Sequence, residues 1–434
     1  MPTHICSECF EDSHLRDMVR REGVIGKCRK CEEWREGIST ERLGQILAPI
    51  LREVVRPGEI VPFYDGGKIR TRQHGDSIAE WVYEVLGQAL DFEHEIVDAI
   101  IATDVWNPRR GGEPFWNDDQ NYERIPPISD DYLEKWRGVL LDVKHQRRFF
   151  SEMAGQFFTE LFDGVESMYV PSGRRRLRVV KHLAKGTRLF RARVVTSGSK
   201  LREMIEDPLK HIGPPPLSDA RSGRMNAEGI SVFYGASERD TCLAEMRPSR
   251  GNDIALIELE TTRKLRILDF CRLDGARMAK SLSYFQQDFK PQRARRQFLR
   301  ILHTLIAQPV TSGREGDYLI TQTMAEYLSH VARPRFDGII FQSTQRTGGK
   351  NIVLFPNAMV DADGAPQGLP LTLVDNEVHL YKTQAITYSH ERQPYYQERE
   401  SDEIIPLTKP EVQPQDDAAP HEFWNGACWN EDIF

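Results

Sequence analysis

Residues 223–248 read GRMNAEGISVFYGASERDTCLAEMRP, and the fold turns on how this stretch is divided. ISVFYGA, residues 230–236, has the β-branched and aromatic content of a short buried strand. SERDTCLAEM, residues 237–246, has a helical period with Ser237 as its N-cap. This division sets Arg224 before the strand, Tyr234 at its end and Glu245 inside the following helix, on the side that Leu243 does not occupy. One cation, one aromatic ring and one carboxylate are thereby drawn toward a strand end.

Outward from this point the chain continues to mix strands and helices. VFYGA, IALIEL, LRILDF, DGIIFQS, NIVLF and EVHLYK read as strands, with QRARRQFLRILHTLIAQ and DYLITQTMAEYLSHVA as helices between them. The expectation is an α+β domain over residues 170–390, large enough to carry its own core. Near its start, GRRRLRVVKHLAKGTRLFRARV alternates apolar and basic residues. The wet face of an edge strand explains this better than a nucleic-acid patch.

Residues 38–165 turn helical. DSIAEWVYEVLGQAL carries a capping box from Ser77 to Glu80, with Ile78, Trp81, Val82, Val85 and Leu86 on one face. DDYLEKWRGVLLDVKHQRRFFSEMAGQFFTELF repeats the theme with Tyr132, Trp136, Val139, Leu140 and Val143. The loop between them, NPRRGGEPFWNDDQNYERIPPISDD, is too long for an idle connection and is expected to cover a site or a partner surface. The helical stretch resembles a HEPN-type domain. Between residues 38 and 170 no Arg and His stand with four to six residues between them, as they do in its nuclease members, so the resemblance implies a non-catalytic packing or dimerisation module.

Four of the seven cysteines fall in the first 31 residues. Cys6 and Cys9 form one CxxC and Cys28 and Cys31 a second, a spacing that fits a closed tetrahedral zinc site made by two knuckles. Such a site has no open coordination position. Its expected role is structural, holding a module at 1–37 that is too small for its own core. His4 and His14 are the lesser candidates as ligands. Basic residues Arg20, Arg21, Lys27, Arg29 and Lys30 keep a nucleic-acid-binding zinc ribbon in view as an alternative.

The composition is that of a soluble globular protein of two or three domains: 434 residues, 39% hydrophobic and 28% charged, with a net charge of −7. The acidic balance argues against a surface that grips nucleic acid as a whole. With neither a secretory segment nor an apolar run long enough to span a bilayer, the expectation is a cytoplasmic protein with no membrane partner. Residues 391–434 form an acidic tail with an aromatic end, in which Phe423, Trp424, Trp429 and Phe434 are expected to dock on this chain or a partner.

The motifs between 170 and 390 resemble those of the RES family, which is named for an Arg, a Glu and a Ser in that order. Here they are LFRAR with Arg191, GRMNAEG with Arg224, VFYGASERDTCLAEM with Tyr234 and Glu245, and DGIIFQS followed by GGKNIVLF with Ser343 and Asn351. Met225 stands where the family usually has Trp, and KLREMIEDPLKHIGPPPLSDARS looks like an insertion between the two arginines. The resemblance implies an ADP-ribosyltransferase-like mixed β core with helices, and cleavage of the nicotinamide–ribose bond of NAD+ by hydrolysis or phosphorolysis. The enzyme would be a toxin or anti-phage defence effector. It implies Arg191, Glu245 and Ser343 as catalytic residues and Arg224, Tyr234 and Asn351 as substrate-binding ones. Inorganic phosphate is a candidate co-substrate, an inhibitory antitoxin a candidate partner, and a homo-oligomer the expected assembly. Transfer of ADP-ribose to a macromolecule remains a second outcome of the same chemistry. Taken singly, a surface Arg, a helical Glu or a Tyr after a strand is ordinary; their order and local contexts together carry the assignment.

Overall fold

Caps and register, more than propensity, decide where the elements of this chain begin and end. The computed structural model describes residues 3–65, 68–104, 113–125, 130–273, 275–278, 282–307, 318–359, 368–385, 395–397 and 404–406. The chain divides into two units, Met1–Lys181 with Leu268–Ala307, and His182–Ile267 with Gln308–Phe434. Among the described residues no helix is long and apolar enough to cross a membrane. Phe423, Trp424, Trp429 and Phe434 lie outside the described residues.

In the first unit, strands His4–Cys6, Trp34–Ser39 and Val24–Lys27 form a three-stranded sheet in that order. The helix Ser13–Glu22, capped by Asp12, is inserted between its strands in sequence. This small module has no separate core. Ile5, Phe10, Leu15, Val19 and Ile38 belong to one buried cluster with Leu43, Leu47, Leu51, Trp81 and Ile100 of the following helices. Gln88 ties the two together, accepting from the Glu11 N–H at 2.9 Å and donating to the Cys9 carbonyl at 2.9 Å. The Ser77–Glu80 capping box forms as read, with Glu80 N–H donating to Ser77 Oγ and Ser77 N–H to Glu80 Oε2.

The loop expected to cover a site is in part core. Trp116 and Tyr122 are buried, and strand Tyr122–Arg124 pairs with Val55–Pro57. Asp104 Oδ2 accepts the Phe115 and Trp116 N–H groups at 2.5 and 3.0 Å, which fixes Trp116 in place. Residues 105–112 and 126–129 of that loop lie outside the described residues.

The long amphipathic stretch 130–162 is two helices rather than one, Asp130–His145 and Glu152–Phe162. Ser151 decides the break. Its hydroxyl accepts from the Ala154 N–H at 3.0 Å as an N-cap and donates to buried Asp142 at 2.5 Å, closing the turn. The helix Phe289–Ala307 packs on Asp130–His145, and Phe298 stands 5.8 Å from Tyr132, 5.7 Å from Trp136 and 6.0 Å from Phe157, centroid to centroid. That packing is why residues 268–307, inside the span 170–390, cluster with the helical unit.

The second unit is built on a mixed sheet that has nine strands among the described residues. Eight follow the order Val180–Leu183, Leu265–Asp269, Gly338–Gln342, Lys350–Leu354, Phe233–Ala236, Arg188–Val194, Asp253–Thr261, Leu371–Leu373; His379–Lys382 also pairs with Asp253–Thr261. The chain crosses between units within the first two strands of that order. The central strands are almost wholly apolar. Ala255, Leu256, Ile257, Leu259, Ile339, Ile352 and Val353 are fully buried, as expected for strands covered on both faces. Buried Glu258 is matched by Arg239 and, at 3.5 Å, by Arg188.

Replacing Phe298 with Ala removes a fully buried ring from the middle of an aromatic cluster. We expect destabilisation of about 3–5 kcal/mol, read as a lowered denaturant midpoint at unchanged slope.

Candidate functional site

The centre of the second unit's polar chemistry is the carboxylate of Glu245, the last residue of the helix Arg239–Glu245. Ser237 does not cap that helix. Its N–H donates to the Lys350 carbonyl at 3.0 Å and so prolongs the strand ladder, leaving Glu238 at the N-cap position. The Glu238 carboxylate then accepts from Thr241 Oγ1 at 2.8 Å and the Lys350 N–H at 3.1 Å, which holds the helix start against the loop 343–350. Gly349 belongs there because a Cβ would lie 2.5 Å from Thr241 Oγ1.

Ser343 directly follows strand Gly338–Gln342, and Asn351 lies in Lys350–Leu354, in register with Phe341 on one side and Ala236 on the other. Both reach the same oxygen. Ser343 Oγ donates to Glu245 Oε1 at 2.5 Å and Asn351 Nδ2 donates to it at 2.7 Å. Ser343 Oγ is itself aimed by the Gln345 and Arg346 N–H groups at 3.1 and 3.2 Å. Two charge-assisted hydrogen bonds on Oε1 fix the carboxylate plane. Oε2 has no hydrogen bond among the described residues and is the oxygen left for a ligand.

Arg191 is the middle residue of Arg188–Val194, not a strand end. Its hydrogen bonds run to backbone, with Nε donating to the Ile212 carbonyl at 3.2 Å and Nη1 to the Tyr234 carbonyl. Arg193 joins it on the Ile212 and Gly213 carbonyls at 3.4 and 3.1 Å. Together they fasten the end of the short helix Pro208–Ile212, inside the apparent insertion, onto the strand. Burial, with the neighbouring Arg193 charge, holds Arg191 down at about 10. Arg191 is thus not hydrogen-bonded to Glu245, Ser343 or Asn351. Buried Cys242 lies within electrostatic reach of both Arg191 and Glu245, and burial pushes its thiol up to about 12.

Tyr234 is the second residue of Phe233–Ala236, and its hydroxyl is already engaged. It accepts from the Met225 N–H and donates to Asn226 Oδ1, both at 2.9 Å, while burial raises its pKa to about 12. Gly223 and Asn226 bond each other across a tight turn, at 2.9 and 3.4 Å, with Arg224 between them. A Cβ at Gly223 would meet Asn226 Oδ1 at 2.7 Å. From the helix Leu319–Glu326, Thr321 Oγ1 donates to the Arg224 carbonyl at 2.6 Å, and Gln322 Nε2 reaches the Gly223 and Asn226 carbonyls at 2.8 and 3.0 Å. The Arg224 guanidinium lies 6.0 Å from the Tyr318 ring centre. Burial lowers its pKa, while the nearby Tyr318, Tyr234 and Glu245 groups act against that shift.

Sequence reading missed Asn226, Tyr318, Thr321 and Gln322. Asn226 stood in the quoted GRMNAEG stretch, where a small polar residue after Gly signals a turn. Thr321 and Gln322 sit on a helix far along the chain, with Tyr318 just before it, and nothing local marks them.

Residues 188–374 match the family model of the RES domain. That stretch is a RES domain. Neither a curated protein nor a solved structure matches the chain. The RES match holds all six candidate residues, Arg191, Arg224, Tyr234, Glu245, Ser343 and Asn351, and the helix Leu319–Glu326 that clamps the Arg224 turn.

Outside the RES domain, the Sγ atoms of Cys6, Cys9, Cys28 and Cys31 all lie within 4.8 Å of one another. Measured separations are 3.5 Å for Cys6–Cys9, 3.6 Å for Cys6–Cys31 and 3.7 Å for Cys28–Cys9. A tetrahedron of thiolates around zinc has edges of about 3.8 Å. The Cys6 N–H also points at Cys28 Sγ at 3.3 Å, the kind of outer-shell donor that steadies a thiolate ligand. Burial pushes the Cys28 thiol up, but N–H donors from Cys31, Cys6 and Lys30 outweigh it and bring it to about 6. The donor set therefore fits zinc. His4 is turned away, with Nε2 3.2 Å from the Arg35 carbonyl.

Two outcomes follow. Mass spectrometry under native conditions should find about one zinc per chain, and Cys28→Ser should lose it together with thermal stability of the helical unit. Tyr234→Phe should cost about 1–3 kcal/mol in urea unfolding, since it strands a buried N–H and a buried amide oxygen; a hydroxyl serving substrate alone would leave the midpoint unchanged.

Proposed function

We propose that the RES domain consumes NAD+ by breaking the bond between the nicotinamide nitrogen and C1 of its ribose. The observation that carries this reading is the single carboxylate of Glu245, held through one oxygen by Ser343 and Asn351 with its other oxygen open. In this reaction the electron pair of the broken bond goes to the nicotinamide ring nitrogen, which leaves neutral. No general acid is needed. The ribosyl carbon becomes oxocarbenium-like, and one fixed carboxylate suffices to stabilise it or to hold a ribose hydroxyl as charge develops. The new C–O bond forms to water, with a proton lost to solvent, or to inorganic phosphate.

The arginines divide the remaining work. Arg224, close enough to Glu245 to feel its charge and held on a clamped turn, is suited to the pyrophosphate. Arg191 supports the site by bonding the Tyr234 carbonyl and the insertion. The Tyr318 and Tyr234 rings, both close to Arg224, are candidate aromatic faces for a nicotinamide or a ribose. The zinc module is structural in this reading, and an enzyme that drains NAD+ fits a toxin or defence effector kept in check by an inhibitory partner.

The deciding experiment is NAD+ consumption by the full-length protein, with and without phosphate, beside Glu245→Gln. Loss of NAD+ that falls at least about 100-fold in the variant is expected. ADP-ribose as product indicates water as acceptor, ADP-ribose 1″-phosphate indicates phosphate, and label on protein indicates macromolecular transfer. Equal activity in the variant, or none in either protein, would sink the proposal. Expression in cells should be toxic for the native chain and tolerated for Glu245→Gln.

A further inference from the structure

The turn between the helices Asp130–His145 and Glu152–Phe162 exposes two adjacent aromatic rings. Phe149 is 85% and Phe150 89% exposed, and Leu141 and Met153 on the flanking helices are at least half exposed. Met153 lies over the first helix, its Sδ 3.7 Å from where a Cβ on Gly138 would stand, one turn from Leu141. Met153 and Leu141 thus lie on one side of the hairpin, and Phe149 and Phe150 stand in its turn. Single apolar residues on a surface mean little; two adjacent, almost fully exposed phenyl rings flanked by two more exposed apolar side chains are a candidate binding face.

The charge around it is mainly basic, with Glu152, at the start of the second helix, the one exposed acid at the turn. The stretch KHQRRFF, residues 144–150, holds Lys144, Arg147 and Arg148 and no acid, in a chain whose net charge is −7. Arg147 and Arg148 are exposed and carry no ion pair among the described residues. Asp142, the acid nearest in sequence on the first helix, is buried and occupied by Ser151.

We infer that this hairpin end is a docking surface for an anionic lipid bilayer. Two phenyl rings and two aliphatic side chains enter the interface, while the arginines meet phosphate headgroups. A second copy is the poorer occupant, because a two-fold contact through this patch sets Arg147 and Arg148 against their own equivalents. Single-stranded nucleic acid is also poorer, since Leu141 and Met153 offer no ring for a base to stack on. The absence of a spanning helix is no obstacle, because surface attachment needs only buried apolar area and attraction to anionic lipid. The inference is independent of the reaction proposed for the RES domain.

Flotation of the full-length protein with phosphatidylcholine vesicles, with and without phosphatidylglycerol, tests it. Binding is expected only with the anionic lipid and should weaken as salt is raised. The double variant Phe149→Ser/Phe150→Ser, altered only at exposed positions, should lose binding at least about tenfold. Arg147→Gln/Arg148→Gln should lose roughly fivefold for each arginine. In Phe150→Trp, the indole emission should shift to the blue on anionic vesicles and be quenched by brominated lipid chains. Failure of the native chain to float, equal flotation of the serine variant, or a Phe150→Trp emission unmoved by vesicles would each overturn the inference. So would loss of self-association, or of binding to single-stranded RNA, in the serine variant with flotation intact.

Discussion

The RES domain depends on one shared acceptor. Glu245 Oε1 takes a hydroxyl donor from the end of one strand and an amide donor from the next, so the end of a short helix is pinned across two neighbouring strands. A seven-residue helix has little stability of its own. What fixes it is tertiary: Cys242 in the core, Glu238 bonded to the strand-entry loop, and Glu245 bonded to the strands themselves. A carboxylate so placed is a structural clasp that keeps its second oxygen without a hydrogen bond among the described residues.

Around that clasp the remaining polar groups form a second layer. Tyr234, Asn226, Thr321 and Gln322 spend their hydrogen bonds on a four-residue turn, and the product of that spending is the position of Arg224. Arg191 and Arg193 do the same for the Pro208–Ile212 helix. The cost of desolvating these arginines is visible in their lowered proton affinities, which only a surrounding of aligned carbonyls makes tolerable.

Much of this was legible in the sequence, for identifiable reasons. The strands VFYGA, IALIEL and NIVLF announce themselves because both their faces are buried and hence apolar, and the Ser77–Glu80 cap because its two bonds lie within one turn. The paired CxxC motifs likewise encode their geometry locally. Ser237 was misread as a cap because its N–H is claimed by Lys350, more than a hundred residues away. The break at 146–151 was missed for a similar reason, since it rests on a buried contact between Asp142 and Ser151 that apolar periodicity does not register. The hydrogen-bond partners of Tyr234 and Arg191 were not legible either: residue type pointed to each position, but the groups that their polar atoms meet come from other segments of the fold.

The helix Phe289–Ala307 belongs in sequence to the matched stretch 188–374, yet its apolar face, with Phe298 at the centre, is buried among aromatic rings from residues 132–162. A fragment cut at the family boundaries would carry that face into water with its bed left behind. The RES domain of this chain is therefore not a detachable cassette. One helix of the matched stretch is folded into the core of the helical unit, and evolution cannot exchange that stretch whole without rebuilding the core it leaves.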